Sequence, residues 1–282
     1  MRAFFHPMKL VTGAAGGRAV GPLKRTVIRW LYTYLARRFA MADWTLMNYG
    51  YAPLAGEAFA SPVPIAAEES YNLNLYWRIA TSGRNGTALD GLSVLEIGSG
   101  RGGGAAFIAQ HLRPAQLVGA DIAPSATALA AARYAAIDNL HFKTDDAEAL
   151  ALNTASFDIV INIESIHCYA QPERFLAEVA RVLKPGGELL FAGFAARGHA
   201  YDRLIEAFNS SALRLERLDD ITANIAAALD ADEARKRAFL DKNVRGALKS
   251  FALGAYAMQG SPMRTALDAG ATVYIAALLT KP

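Results

Sequence analysis

The hydrophobic pattern of the chain changes character near residue 92. Before that point apolar residues recur at helical spacing. Leu23, Val27, Trp30, Leu31, Tyr34, Leu35 and Phe39 follow Gly21 and Pro22, with proline in a first turn where its missing N–H is no loss. A second helix is predicted over 66–80, and the stretch from Asn48 to Pro53 between the two reads as a turn-rich connector. From Leu92 onward, short apolar runs alternate with helical stretches. Strands are predicted near 92–97, 116–121, 139–144, 157–163 and 187–194, and helices near 103–112, 125–136 and 171–183. Pro185, Gly186 and Gly187 read as a tight turn feeding the fifth strand. A helix near 200–209, a strand near 213–219, a helical stretch over about 224–258 and a last strand near 271–281 complete the pattern. This alternation implies a parallel sheet with helices on both faces, because each parallel strand needs a crossover to reach the next. The charge-dense stretch from Asp230 to Arg245 reads as a solvated helix face without chemistry.

The candidate chemistry begins at the first strand. Residues 94–104 spell VLEIGSGRGGG after a strand and at the start of a helix. Gly98, Gly100 and Gly102 allow a sharp turn and a close ligand, and the free N–H groups of a helix start suit an anion such as an amino-acid carboxylate. Gly98, Gly100 and Gly103 also satisfy the dinucleotide fingerprint, and Asp121, ending the second strand, suits ribose hydroxyls in either case. The loop alone therefore leaves a nicotinamide dinucleotide open. Glu96 stands two residues before the first glycine, where a carboxylate orients the loop and a ligand amino group. Asp145, Asp146 and Ala147 follow the third strand, where a carboxylate can accept from an adenine amino group. The strand beginning at Phe157 ends at Glu164 and Ser165. Ligands bind at this carboxyl edge of parallel sheets.

Together with Leu183 to Gly187 (LKPGG), this series resembles the class I, Rossmann-like SAM-dependent methyltransferases over residues 92–194. The resemblance implies an α/β fold with a mostly parallel seven-stranded sheet, an antiparallel last strand and helices on both faces. It divides the chain into a flexible leader at 1–21, a helical lid or cap at 22–85, and a cofactor-binding domain at 86–282 with a helical insertion at about 222–258. It also implies S-adenosyl-L-methionine (SAM) as cofactor, leaving as S-adenosyl-L-homocysteine. The residues assigned to it are Glu96, Gly98, Ser99, Gly100, Gly102, Asp121, Ile122, Asp146, Ala147, Asn162 and Ile163. Asp145 departs from the family, which commonly has glycine there.

The segment Ile163 to Tyr169 (IESIHCY), followed by Arg174 to Gly187, is similar to small-molecule methyltransferases of natural-product and lipid pathways. Among these are the phthiotriolone and phenolphthiotriolone dimycocerosate methyltransferases, which O-methylate a hydroxyl on a long lipid. Residues 48–51 and 74–81 also resemble their N-terminal region. His167, just beyond the fourth strand, is the candidate general base, since an imidazole of pKa about 6.5 suits removal of a hydroxyl proton near neutrality. Several relatives carry an acidic residue after the fifth strand, where this chain has Phe191 to Phe194, and Glu164 is an alternative partner for His167. Tyr49, Tyr51, Tyr76 and Trp77 suggest one wall of an apolar acceptor site, and Phe239, Leu240, Phe251, Tyr256 and Met258 the other. C- or N-methylation, and a SAM-binding protein that cyclises or assembles without transferring methyl, remain open readings on the same fold.

Charge adds one further feature. The whole chain is +3, yet residues 1–40 hold eight basic and no acidic residues, leaving 21 basic against 26 acidic in the remainder. The basic arm suggests peripheral contact with an anionic membrane. An acidic body without a base-methylation motif argues against nucleic acid, and the lack of a clear carboxylate triad argues against a metal. Cys168 is the single cysteine, which excludes an internal disulfide and suits a cytoplasmic setting. The oligomeric state, a homodimer included, is left open.

Overall fold

The computed structural model describes residues 45–64, 69–244 and 246–282. The expected leader, the basic amphipathic helix at 22–40 and the start of the helix expected from 66 lie outside the described residues. The chain runs α1 (Ser70–Ala80), β1 (Ser93–Ile97), α2 (Gly103–His111), β2 (Gln116–Asp121), α3 (Pro124–Arg133), β3 (Leu140–Thr144) and β4 (Phe157–Ile163). A short 3-10 turn (Ile166–Cys168) then leads to α4 (Pro172–Val182), β5 (Leu183–Ala196), α5 (His199–Ser210) and β6 (Arg214–Asp220). Three helices, α6 (Thr222–Asn243), α7 (Ala247–Ala255) and α8 (Pro262–Asp268), precede β7 (Thr272–Thr280). One seven-stranded sheet has the order β3-β2-β1-β4-β5-β7-β6, and β7 runs antiparallel to both its neighbours. This is the Rossmann-like α/β fold expected from the motifs.

The two-residue period of the strands sorts the core into two faces. Val94, Ile161, Leu190, Ala192, Tyr274 and Ala276 pack with α1, α2 and with Ile225 and Leu229 of α6. Leu95, Ile97, Val160, Leu189, Phe191, Ile275 and Ala277 pack with Phe175, Leu176 and Val179 of α4 and with Leu204 and Phe208 of α5. Helix α2 is buried along Gly103–Ala109 with no polar face, because α1 covers the side that the sheet does not. At Gly104 a side chain would run into the ring of Tyr76 from α1, so glycine there lets two helices nearly touch.

Three departures from the sequence pattern have clear causes. Strand β5 begins at Leu183 rather than near 187. Its ladder with β4 is interrupted, Leu183 facing Phe157 and Glu188 facing Ile159. Pro185 has no N–H to give, and Gly186 turns at φ +75°, so the residues between bulge outward and bond Lys281 instead. The helical stretch near 224–258 is two helices separated near Gly246, whose φ is +64°. The third departure is the charged stretch from Asp230. On α6 the residues Ile225, Leu229, Asp232, Lys236 and Leu240 form one buried stripe at three-to-four residue spacing. Asp232 and Lys236 are thus core residues, 4% and 3% exposed, and the solvated-face reading is wrong at these two positions. Among the described residues no helix is long and apolar enough to cross a membrane.

The contact at Gly104 is testable. Gly104→Ala forces either Tyr76 or α2 to move, and overpacking of this kind costs about 1–3 kcal/mol. Urea unfolding should show a lower midpoint with an unchanged slope.

Candidate active site

The carboxyl ends of β3, β2, β1 and β4 stand side by side, which brings Asp146, Asp121, Glu96 with the glycine loop, and Asn162 to one edge. The loop after β1 is stapled to β2: Gly98 and Ser99 donate to the Ala120 carbonyl at 2.8 and 3.1 Å. Asp121 holds it from the side, its two oxygens accepting from the Gly100 and Ala123 N–H groups at 2.9 Å each. An ionised carboxylate has about four acceptor positions, so capacity remains for further hydroxyls. Gly98, at φ +82°, has no room for a side chain, because Ser165 from the exit of β4 fills that space. Asn162 is fully buried. Its Nδ2 lies 3.0 Å from the Ile97 carbonyl, 2.7 Å from Ser165 Oγ and 2.9 Å from Tyr169 OH, so it ties the ends of β1 and β4 together.

Glu96 is 1% exposed and accepts from the Tyr76 hydroxyl at 2.9 Å. Burial pushes its carboxyl up to about 7, against the opposing pull of that hydroxyl. Its Oε2, together with Ser99 Oγ and Asn162 Oδ1, is buried without a hydrogen-bond partner among the described residues. Buried polar atoms are paired almost everywhere in folded proteins. Three orphans around one glycine loop mark a place completed by a polar ligand or by water, which fits a cofactor carrying ammonium, carboxylate and ribose groups. Ile122 is half-buried beside Asp121, and Ala147 and Ile163 are buried. Asp146 Oδ1 accepts from Glu148 N at 2.9 Å, and Asp145 Oδ1 accepts from Asp146 N and Ala151 N at 3.0 Å each. The aspartate at 145 thus closes its own turn by side-chain bonding.

The exit of β4 forms the other half of the edge. Glu164 adopts φ +49°, an uncommon backbone for a side chain of this size. Its Oε1 accepts from Tyr49 N at 2.7 Å and from Tyr274 OH at 2.8 Å, while Oε2 carries no bond among the described residues. Burial raises this carboxyl to about 7 as well, with Lys236 acting to lower it. His167 stacks on Phe194 with centroids 4.7 Å apart, and Phe194 stacks on Tyr49 at 5.5 Å and tilts against Tyr274 at 6.2 Å. Of the four aromatics expected to form a wall, Tyr49 and Tyr76 reach the strand ends. Tyr51 packs on Phe59, and Trp77 packs on Phe107 and donates to the Ala60 carbonyl. Of the residues expected on the other wall, Leu240, Tyr256 and Met258 form a small cluster of their own with Val244, Phe239 packs against it, and the Phe251 side chain lies outside the described residues. Tyr274 and Lys236 escaped the sequence reading. Tyr274 is hidden in an apolar strand, and Lys236 is hidden among charges, although its four-residue spacing from Asp232 was a usable signal.

A model of the methyltransferase domain family matches residues 95–191. The phthiotriol/phenolphthiotriol dimycocerosates methyltransferase of Mycobacterium leprae (strain TN) is 31% identical over 255 residues, covering 89% of this chain and 90% of the relative. The chain belongs to the class I SAM-dependent methyltransferases. The fatty-acid O-methyltransferase of Mycolicibacterium smegmatis is 37% identical over 162 residues, 57% of each chain. Among solved structures the cyclase SpnF superposes with a TM-score of 0.69 at 18% identity, covering 92% of this methyltransferase and 96% of SpnF, which bears on the fold alone. SAM is the cofactor of this methyltransferase, and a dinucleotide is set aside.

The raised carboxyls of the methyltransferase give its stability a definite pH dependence. Glu96 and Glu164 keep their protons in the fold up to about 7, whereas an unfolded chain releases them near the ordinary 4.5. Over that window the native state binds more protons, so stability falls as pH rises and levels off above it. Asp121, also raised by burial, acts in the same direction. The urea midpoint of the ligand-free protein should therefore drop from pH 5 to pH 7, and Glu96→Gln should flatten the slope.

Proposed function

We propose that this methyltransferase transfers methyl to a hydroxyl oxygen of a lipophilic small molecule, with His167 as general base. The observation that carries the reading is the stacked wall of His167, Phe194 and Tyr49 beside Tyr274, placed at the exit of β4 next to the glycine loop. Such a wall offers flat apolar area to an acceptor, with a few polar atoms to orient it. The mycobacterial relatives above, named for dimycocerosates of phthiotriol type and for fatty acids, support an acceptor of this kind.

SAM, when bound, supplies a methyl group on a sulfonium. The chain's own residues bind, orient and move a proton. Asp121 takes the ribose hydroxyls with its spare acceptor positions, and Asp146 with Ala147 takes the adenine. Glu96 would hold the ammonium group through Oε2, and Ser99, Gly100 and Gly102 would hold the amino-acid end. Ile122, Asn162 and Ile163 close the sides of the cofactor site. As the new O–C bond forms and the methyl–sulfur bond breaks with its electron pair left on sulfur, so that S-adenosyl-L-homocysteine leaves, the hydroxyl proton passes to a nitrogen of His167, and proximity of the two reactants supplies much of the rate. Phe194 stacks on the imidazole and so helps to orient it. Residues 22–85 act as the cap, 1–21 as the leader, and the insertion at about 222–258 as the far wall. The basic residues of the first forty favour reversible contact with an anionic membrane.

Incubation with SAM carrying a tritiated methyl tests the chemistry. Methyl ricinoleate offers a hydroxyl, oleic acid a carboxylate and a long-chain β-keto ester an acidic carbon. Label appearing as a methyl ether of the ricinoleate hydroxyl is the expected result; label only on the acidic carbon of the keto ester, or only as the methyl ester of oleic acid, would overturn transfer to a hydroxyl. His167→Ala should lower turnover by roughly 10²–10⁴ with SAM affinity nearly unchanged. Calorimetry on Asp121→Ala should show SAM affinity weaker by about tenfold or more, as for loss of hydrogen bonds to a charged acceptor. Sedimentation with phosphatidylserine vesicles at low and high salt, with and without residues 1–40, tests the membrane contact.

A further inference from the structure

Lys236 is the least expected charge in the molecule. Its ammonium is 3% exposed on a stripe otherwise set by Ile225, Leu229 and Leu240. An isolated buried ammonium is costly, and an apolar residue of similar volume would fill the same space more cheaply. Its nearest anion, Asp232 at 3.4 Å, is already engaged by Arg235 through two bonds of 2.6 Å. Arg235 reaches on to Asn72 Oδ1 in α1 at 3.2 Å. What remains specific to Lys236 is the carbonyl of Tyr49, which accepts from its Nζ at 3.2 Å.

Tyr49 is held on both sides. Its carbonyl faces the Lys236 cation, and its N–H is the 2.7 Å donor to Glu164. A peptide carbonyl accepting from a cation and a peptide N–H donating to a carboxylate both make charge-assisted bonds. The ring of the same residue stacks on Phe194, and Phe194 stacks on His167. One residue thus joins the insertion helix, the exit of β4 and the aromatic wall.

We propose that Lys236 is a positioning residue of the acceptor site: by clamping Tyr49 it makes docking of the insertion helix and orientation of the Glu164 carboxylate a single event. The Oε2 of Glu164, which carries no bond among the described residues, then receives the acceptor's polar group only when α6 is seated. The inference rests on the acceptor site proposed above. The groups that face Glu164 are Tyr49, Tyr76 from α1, Tyr274 from β7, and Lys236 with Asp232 and Arg235 behind it from α6; His167 follows three residues later in the chain. Of these, Lys236 is the cation whose attraction favours the ionised carboxylate.

The test compares Lys236→Met, Lys236→Gln and Lys236→Arg in the full chain bound to S-adenosyl-L-homocysteine. Hydrogen exchange at the Tyr49 amide should accelerate about tenfold or more in Lys236→Met, while amides of β2 and β3 stay protected. Lys236→Gln keeps a donor for the Tyr49 carbonyl and loses the charge, so exchange stays near wild type. In both, the infrared titration of the protonated carboxyl band assigned by Glu164→Gln should move to higher pH. Lys236→Arg should restore both readouts. With methyl ricinoleate as acceptor, KM should rise in Lys236→Met while SAM affinity holds. Unchanged exchange at Tyr49 and an unmoved carboxyl titration in Lys236→Met would overturn the proposal. If Lys236→Met fails to fold, an unmoved titration in Lys236→Gln does the same. Should wild type methylate none of the three acceptors, the exchange and infrared readouts still decide the coupling, so the two readings fail separately.

Discussion

Carboxylates anchor the working edge of this fold. A parallel strand that ends at the sheet's carboxyl edge hands the chain to a loop whose N–H groups have no ladder partner. Here acidic side chains meet that need one after another. Asp121 takes Gly100 and Ala123, Asp145 takes Asp146 and Ala151, Glu148 takes Ala170 and Gln171, and Glu164 takes Tyr49. Each such bond fixes a loop at the place where a ligand must bind. An anion with acceptor positions to spare can serve the backbone and a ligand together, so in the proposed site the fold and the cofactor share the same atoms.

The sharing has an electrostatic consequence. Carboxylates gathered in a low-dielectric edge resist ionising, and burial raises Glu96, Asp121 and Glu164. A cofactor that arrives with positive charge relieves this strain, which makes the edge receptive to SAM for the same reason that it weakens the ligand-free fold as pH rises. The tyrosines interleaved with these acids, Tyr49, Tyr76 and Tyr274, are themselves pushed upward by burial and stay neutral. Their hydroxyls therefore donate, and Tyr76 and Tyr274 each give that donor to a carboxylate.

The strand ends were readable from the chain because their signals are local. A glycine loop between an apolar run and a helix, and acids at the close of successive runs, follow from backbone demands within a few residues. The mostly parallel seven-stranded sheet and its antiparallel last strand came from resemblance, and the structure agrees. The bulge at Pro185 to Gly187 was half legible, since the residues announce a turn but not that a strand begins before it. Helix α8 was missed because seven residues carry too little periodicity, although Ser261 before Pro262 is an N-cap signal, and its hydroxyl does accept from Arg264 N at 3.2 Å. Lys236 was misread for a deeper reason. A charge-rich helix face is normally wet, and only the three-dimensional placement of Tyr49 shows why two charges belong inside.

The same contrast separates the two halves of the edge. On the cofactor side, binding groups lie on short loops between neighbouring strands, and little besides the glycine loop and Asp121 is needed to set their positions. On the proposed acceptor side, Glu164 is set by residues more than 100 positions away in both directions: Tyr49 comes before the sheet, and Tyr274 belongs to its last strand. Lys236, from the insertion, then reaches Tyr49 across 187 residues. Such long-range contacts form only once the sheet and its additions are assembled, because each must first overcome the entropy of closing its loop. The proposed acceptor side therefore depends on more of the assembled molecule than the glycine loop does. A fold built this way can keep one cofactor site and alter its acceptor by changing residues on α6 and the 45–52 segment, with the glycine loop untouched.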